Sequence, residues 1–138
     1  MSNQDKTLSA ANIRYLLTLN ELDDGEAGVR STQLAECLGV TKPSVHTMIK
    51  KFCEKGYTTK EKYEAVHLTS FGRQLAAKLS SCFDLLYGRV QGSLGLPPED
   101  CRNAICAVLA QACENDLDIL YEKLTAQDTS LILSAMGG

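Results

Sequence analysis

The residues from Thr41 to Lys51 carry the side chains of this sequence that are best suited to bind a polyanion. The segment reads TKPSVHTMIKK and combines lysines with short hydroxyl side chains. Ammonium groups pair with phosphates, and Ser, Thr and Lys can also hydrogen-bond to base edges in a DNA groove. The candidate DNA-binding residues in this segment are Thr41, Lys42, Pro43, Ser44, His46, Thr47, Lys50 and Lys51.

A helix must hold these side chains outward. Thr41 can cap its N-terminus, and Pro43 is tolerated in the first turn, where backbone amides have no partner inside the helix. Helical spacing then predicts one apolar stripe facing a core, made of Val45, Met48, Ile49 and Phe52. The polar residues fall on the opposite side, with His46 at the edge, and Gly56 ends the helix.

The six cysteines are the second group that could do chemistry. They form no C-x-x-C pair, which excludes zinc-ribbon and thioredoxin-like motifs. Cys106 and Cys113 share one predicted helix face, whereas Cys101 points about 140° away from Cys106. A cluster of Cys82, Cys106 and Cys113 would suit a thiophilic metal, an iron–sulfur cofactor or a thiol switch. Packed structural thiols are the favoured interpretation. The other two cysteines are Cys37 and Cys53.

The elements around the polar helix have a characteristic order. The sequence predicts a helix over 8–22, a loop over 23–28, and a short helix that Ser31 caps and Gly39 ends. The turn 38–41 leads to the polar helix, and a hairpin over 58–68 follows, with its tip near Lys62–Ala65. Lys60 and Lys62 in this hairpin are further candidates for phosphate contact. This order predicts a winged helix-turn-helix, with the hairpin as its wing.

The second half of the sequence reads as helical throughout. We expect a long helix from Thr69 to Gln91, a loop over 92–100, a helix starting near Pro98 and a short helix over 117–124. The predicted fold is mainly α: an N-terminal winged helix-turn-helix of three helices plus a β-hairpin wing, over 1–72, followed by an all-helical dimerisation region over 73–138. One winged helix makes few contacts, so we expect a homodimer on a palindromic operator.

The charge of the chain is divided unevenly along its length. The 138 residues carry a net charge of −3, yet the segment 37–73 has seven Lys and Arg against three Glu. Residues 74–138 have four Lys and Arg against eight Asp and Glu. A basic segment beside an acidic one indicates a polyanion-binding face joined to a part with another task. No apolar run is long enough for a membrane span and the N-terminus lacks a signal pattern, so we expect a cytoplasmic protein without membrane contact.

Two stretches resemble a known family. VRSTQLAECLGVTKPSVHTMIKKFCEKGY and KYEAVHLTSFGRQLA are similar to the metal-dependent repressors typified by the diphtheria toxin repressor and the manganese transport regulator. Leu68, Thr69 and Gly72 reproduce the Leu-Thr-x-x-Gly ending of that family's wing. The resemblance implies a homodimeric transcription regulator, usually a repressor of metal-uptake genes, whose DNA binding tightens with Mn²⁺ or Fe²⁺.

The family's metal ligands are mostly missing. These ions prefer carboxylate and imidazole ligands, and both histidines lie in the DNA-binding half. Only Cys106 retains a side chain that could ligate metal. We therefore expect the usual site to be lost, and the fixed charge of Arg14 suggests that DNA binding needs no metal. The family's ligand positions are occupied by Ala11, Arg14, Phe83, Cys106, Leu109 and Ala110.

Two alternatives to this regulator remain open. One is a winged-helix regulator with a cysteine-based redox or thiophilic-metal switch. The other is a winged helix used for protein–protein contact, which would lack the steep salt dependence of phosphate binding. An enzyme is not expected, because no nucleophile motif appears and the cysteine-rich half has no histidine to act as a base.

Overall fold

The computed structural model describes residues 8–60, 65–115 and 117–126. Contacts divide the chain into two compact units. Residues 11–80 form the first, and residues 8–10 belong with those from 81 onward to the second. The fold is mainly α with one small antiparallel sheet, so the predicted fold class is confirmed. The boundary between 72 and 73 stays a prediction.

The first unit contains three helices, three short strands and the start of a fourth helix. They follow in the order α1 (Ala10–Leu22), β1 (Val29–Arg30), α2 (Ser31–Leu38), α3 (Lys42–Glu54), β2 (Thr58–Lys60), β3 (Ala65–Leu68) and α4 (Ser70–Leu94). In the second unit α4 is followed by α5 (Pro98–Asn115) and by a helix over residues 117–126, α6.

The turn between α2 and α3 is set by local sequence. Gly39 has φ 68°, a left-handed conformation that glycine adopts at little cost, and its amide donates to the Ala35 carbonyl. Thr41 is extended and accepts a hydrogen bond from the Ser44 amide at 3.3 Å. Because the stop and the start are only three residues apart, α2 and α3 form a tight helix-turn-helix.

The sheet has the strand order β1-β3-β2, with both pairs antiparallel. The predicted hairpin is the β2–β3 pair, in which Thr58 faces Leu68. Most of its expected tip, including Lys62, lies outside the described residues. Strand β1 was not predicted, because two residues are too short to show a period of two. It brings Val29 opposite Val66, and both side chains are buried.

The first unit has a continuous apolar interior. Two aromatic contacts cross it, from Tyr15 to Phe52 and from Phe52 to Tyr57, with ring centroids 6.2 and 5.6 Å apart. At its edge, Tyr57 contacts the exposed Phe71 at 5.5 Å. The buried aliphatic residues include Ile13, Leu16, Leu19, Leu34, Val45, Ile49 and Leu79. This core ties α1 to the helix that carries the candidate DNA-binding face.

Two sequence expectations need correction. Ser31 is the first residue of α2 rather than its cap; its hydroxyl is buried without a partner, and the Gln33 side chain instead accepts from the Arg30 amide at 3.1 Å. The expected loop over 92–100 is shorter, since α4 continues to Leu94 and α5 already starts at Pro98. The helix start that was expected near Pro98 is found there, because proline is tolerated in a first turn.

Candidate nucleic-acid interface

Helix α3 separates its apolar and polar side chains as its periodicity predicts. Val45, Ile49 and Phe52 have 0%, 1% and 2% of their surface exposed. The polar face is exposed along its whole length. Eight exposed residues therefore share one surface, which we call the α3 face: Thr41, Lys42, Pro43, Ser44, His46, Thr47, Lys50 and Lys51.

The N-terminal end of the α3 face is ordered by its own hydroxyl groups. Thr41 Oγ1 donates to Ser44 Oγ at 2.9 Å while it accepts from the Ser44 amide. Thr47 Oγ1 donates to the Pro43 carbonyl at 3.0 Å. These bonds restrict the side-chain rotamers before any ligand arrives, and preorganised side chains lose less entropy on binding.

Contacts on the inner side of α3 fix how the helix is rotated. Phe52 lies edge-on between Tyr15 and Tyr57. Met48 is half-buried, and its sulfur accepts a hydrogen bond from Asn12 Nδ2 of α1 at 3.0 Å. Because Phe52 and Met48 both hold the inner face of α3 in contact with the core, the helix cannot turn its lysines inward without losing this packing.

The sheet contributes further exposed cations. Lys60, a candidate for phosphate contact, is exposed at the end of β2. Arg30 on the edge strand β1 is exposed as well and was missed by the sequence analysis, because β1 itself was not predicted. A lone arginine beside a helix start carries no sequence signal of its own.

Asp23 anchors the base of the wing from the end of α1. Its side chain is fully buried; Oδ2 accepts from the Leu68 amide at 2.9 Å and from Arg73 at 3.1 Å, and Oδ1 accepts from the Gly25 amide at 2.8 Å. A buried carboxylate is tolerated only when such partners replace water. One side chain thus joins α1, β3 and α4, at separations of 45 and 50 residues that sequence periodicity cannot reveal.

The Leu-Thr-x-x-Gly motif forms the joint between α3, the wing and α4. Thr69 Oγ1 accepts from the Gly72 amide at 2.9 Å and donates to the Gly56 carbonyl at 2.6 Å. A Cβ at Gly72 would overlap the carbonyl oxygen of Tyr57, the residue before β2, so α4 approaches the start of the wing more closely than any other residue would allow. In this chain the motif therefore has a structural role: its threonine and its glycine connect the wing to α4.

The family's metal ligands have no replacement among the described residues. These contain no group of three or more His, Cys, Asp and Glu side chains arranged to hold a metal ion. The positions implied by the resemblance carry alkyl, phenyl and guanidinium groups, apart from Cys106, which is buried. Such a set does not fit Mn²⁺ or Fe²⁺, which require oxygen and imidazole donors.

The cysteines behave as core residues in the second unit. Cys82, Cys101, Cys106 and Cys113 are all buried, including Cys101, which was expected to point elsewhere, and no disulfide joins any of the six. Burial, with a smaller contribution from Cys82, raises the pKa of the Cys113 thiol to about 11. A thiol held protonated is a poor nucleophile and a poor metal ligand.

Comparisons with known proteins agree with this geometry. Residues 7–66 match the family model of the iron dependent repressor, N-terminal DNA binding domain. No curated protein sequence matches the chain. Among solved structures, the manganese regulator SloR has a TM-score of 0.66 at 24% identity, over 89% of this chain and 54% of SloR.

Two further structures have the same fold. ScaR, solved with bound Zn²⁺, has a TM-score of 0.58 at 25% identity, over 83% of this chain and 52% of ScaR. The hypothetical protein SSo2273 from Sulfolobus solfataricus has a TM-score of 0.56 at 21% identity, over 85% of this chain and 89% of SSo2273. The chain spans about half the length of SloR and ScaR.

The fold and the α3 face together define a winged helix-turn-helix protein. Within that class, residues 7–66 are similar to the N-terminal DNA-binding domain of iron-dependent repressors, and the resemblance predicted from the sequence is confirmed. Among the described helices, none combines the length and apolar character that crossing a bilayer requires.

Proposed function

We propose that the protein is a sequence-specific, DNA-binding transcriptional repressor that binds a palindromic operator as a homodimer and does not need a metal ion to do so. The observation that carries the proposal is the exposed, cationic α3 face, opposite a buried stripe, within the segment that matches a DNA-binding domain. An α-helix fits the major groove of B-DNA, where its N-terminal side chains reach base edges.

The charges are arranged to support this function. Lys50 and Lys51 lie toward the end of α3, where flexible ammonium groups suit phosphates rather than bases. Lys60 and Arg30 on the wing sheet would extend these contacts along the backbone. The sequence predicts the same role for Lys62, which lies outside the described residues. The overall charge of −3 does not oppose this, because salt screens charges beyond a Debye length of about 8–10 Å.

A homodimer is supported by apolar side chains that the second unit leaves in water. Leu94, Val108 and Ile119 are 68%, 50% and 50% exposed. Burying such side chains against a second copy would remove apolar surface from water at about 25 cal/mol per Å². Two-fold symmetry would also present two α3 faces to the two half-sites of a palindrome.

The side chains at the family's ligand positions support metal-independent binding. A regulator that needs Mn²⁺ or Fe²⁺ must hold the ion, and among the positions that the family uses only Cys106 carries a possible ligand here. Arg14 carries a permanent positive charge at one of them, so no cation is needed to neutralise repulsion there.

The test is a DNA-binding titration by fluorescence anisotropy, using a site enriched by the protein from random-sequence DNA. We expect log K to fall linearly with log salt, by about 0.9 for each neutralised phosphate. Affinity should be the same in excess EDTA as in added Mn²⁺. A loss on chelation that Mn²⁺ restores would refute metal independence alone. Affinity that ignores salt, or the absence of any enriched site, would refute the DNA-binding function.

A further inference from the structure

We propose that Thr47 reads a thymine in the operator through its methyl group rather than through its hydroxyl group. This rests on the proposed DNA-binding function and goes beyond it, because it names the chemical group on the DNA that one side chain recognises. It is a statement about specificity, and it makes the thymine 5-methyl group the contact.

Thr47 stands in the middle of the α3 face and is exposed. Its hydroxyl is already used, since Oγ1 donates to the Pro43 carbonyl one turn earlier, at 3.0 Å. This back-bond is a common arrangement for threonine in a helix. With the hydroxyl turned along the helix, the methyl is the group that the side chain offers to a partner.

The neighbouring hydroxyl group is arranged differently. Ser44 Oγ accepts from Thr41 Oγ1, which leaves the serine hydrogen available to donate to an acceptor on DNA. The Thr47 hydroxyl already donates its only hydrogen to the Pro43 carbonyl. Donating that hydrogen to a base would first require breaking this bond.

In the major groove, one base carries a group that fits such a side chain. Thymine alone presents a 5-methyl, and apolar side-chain groups, the threonine methyl among them, contact it. Cytosine presents an amino donor at the equivalent edge and offers nothing for a methyl. A methyl–methyl contact therefore discriminates thymine from the other bases without any hydrogen bond.

The experiment compares DNA with and without that one methyl group. A site is first enriched from random DNA by the wild-type protein, and each thymine is then replaced singly by deoxyuridine, which lacks only the 5-methyl. At one position we expect binding to weaken about fourfold, the value for removing one buried methyl-sized group. If no thymine in either half-site shows this loss, the proposal is overturned.

Two variants assign the effect to the right atom. Thr47→Val keeps the methyl and loses the hydroxyl, so the ratio of affinities for thymine and deoxyuridine should stay near fourfold. Thr47→Ser keeps the hydroxyl and loses the methyl, so the ratio should fall to about one. Each ratio is taken within one protein, which removes any effect of the variant on folding.

The reverse result would overturn the proposal and leave the regulator intact. If Thr47→Ser keeps the ratio and Thr47→Val abolishes it, the hydroxyl reads the base. If the wild-type protein enriches no site at all, the proposed function fails together with this inference, and the two failures are therefore distinguishable.

Discussion

At the residue scale, side chains of one type have different tasks because their surroundings differ. Asp23 and Asp24 are neighbours in the sequence, yet Asp23 is fully buried under Arg73 while Asp24 is exposed and only shapes the loop through the amides of Glu26 and Ala27. These loop amides lower the pKa of the Asp24 carboxyl. Nothing in the letters DDG separates the two roles, because the partners of Asp23 lie far away in the chain.

The cysteines give a prediction at the same scale. At pH 8 a pKa near 11, instead of the ordinary 9.0, lowers the thiolate fraction of Cys113 about 100-fold. We expect iodoacetamide to modify Cys113 at least that much more slowly in native protein than in urea, as followed by mass spectrometry. The native rate should keep rising with pH until about 11, since the folded state holds the proton longer than the unfolded chain.

Cys37 serves as the control for this measurement. It is exposed, so its labelling rate should be similar in native and unfolded protein. If native Cys113 reacts as fast as Cys37, the thiol is activated rather than buried, and the interpretation of the second unit as a cysteine-based switch regains support.

At the element scale, the helix-turn-helix is local and the wing is not. Gly39, the Thr41 cap and the apolar stripe of α3 lie within one short segment, so the sequence predicts α2, the turn and α3 with their outward face. Strand β1 has two residues and exists only because β3 pairs with it. The Asp23 anchor and the true start of α2 were missed for the same reason, since tertiary contacts decide them.

The joint of the Leu-Thr-x-x-Gly motif can be tested by adding one methyl group. Gly72→Ala would place a Cβ on the Tyr57 carbonyl oxygen, so the first turn of α4 would have to move away from Tyr57. We expect a loss of about 1–3 kcal/mol in the free energy of unfolding, the usual cost of overpacking. Chemical denaturation followed by circular dichroism measures it.

Gly88→Ala is the matched control, since Gly88 lies in the same helix with nothing near its Cβ position. Alanine is the better helix former, so this variant should gain about 0.5–1 kcal/mol. Equal effects of the two substitutions would mean that the close approach of α4 to Tyr57 contributes nothing to stability.

At the scale of the whole molecule, the charge asymmetry follows the division into two units. The basic segment 37–73 lies inside the first unit, and the acidic remainder lies almost wholly in the second. The sequence alone predicts that a basic part is followed by an acidic helical part, because charge and helical periodicity can both be recognised in it. What it could not supply is Arg30 as an exposed cation of the sheet, or the burial of Cys101, since each depends on an element whose placement is set by packing.

The most direct test of the central claim, that the α3 face binds DNA, compares the salt dependence of DNA binding in the wild type and three variants by fluorescence anisotropy. Lys50→Gln and Lys51→Gln should each weaken binding and reduce the slope of log K against log salt by about 0.9. Lys123→Gln makes the same charge change on an exposed residue of the second unit and should leave the slope unchanged. Equal slopes in all three variants and the wild type would contradict the account.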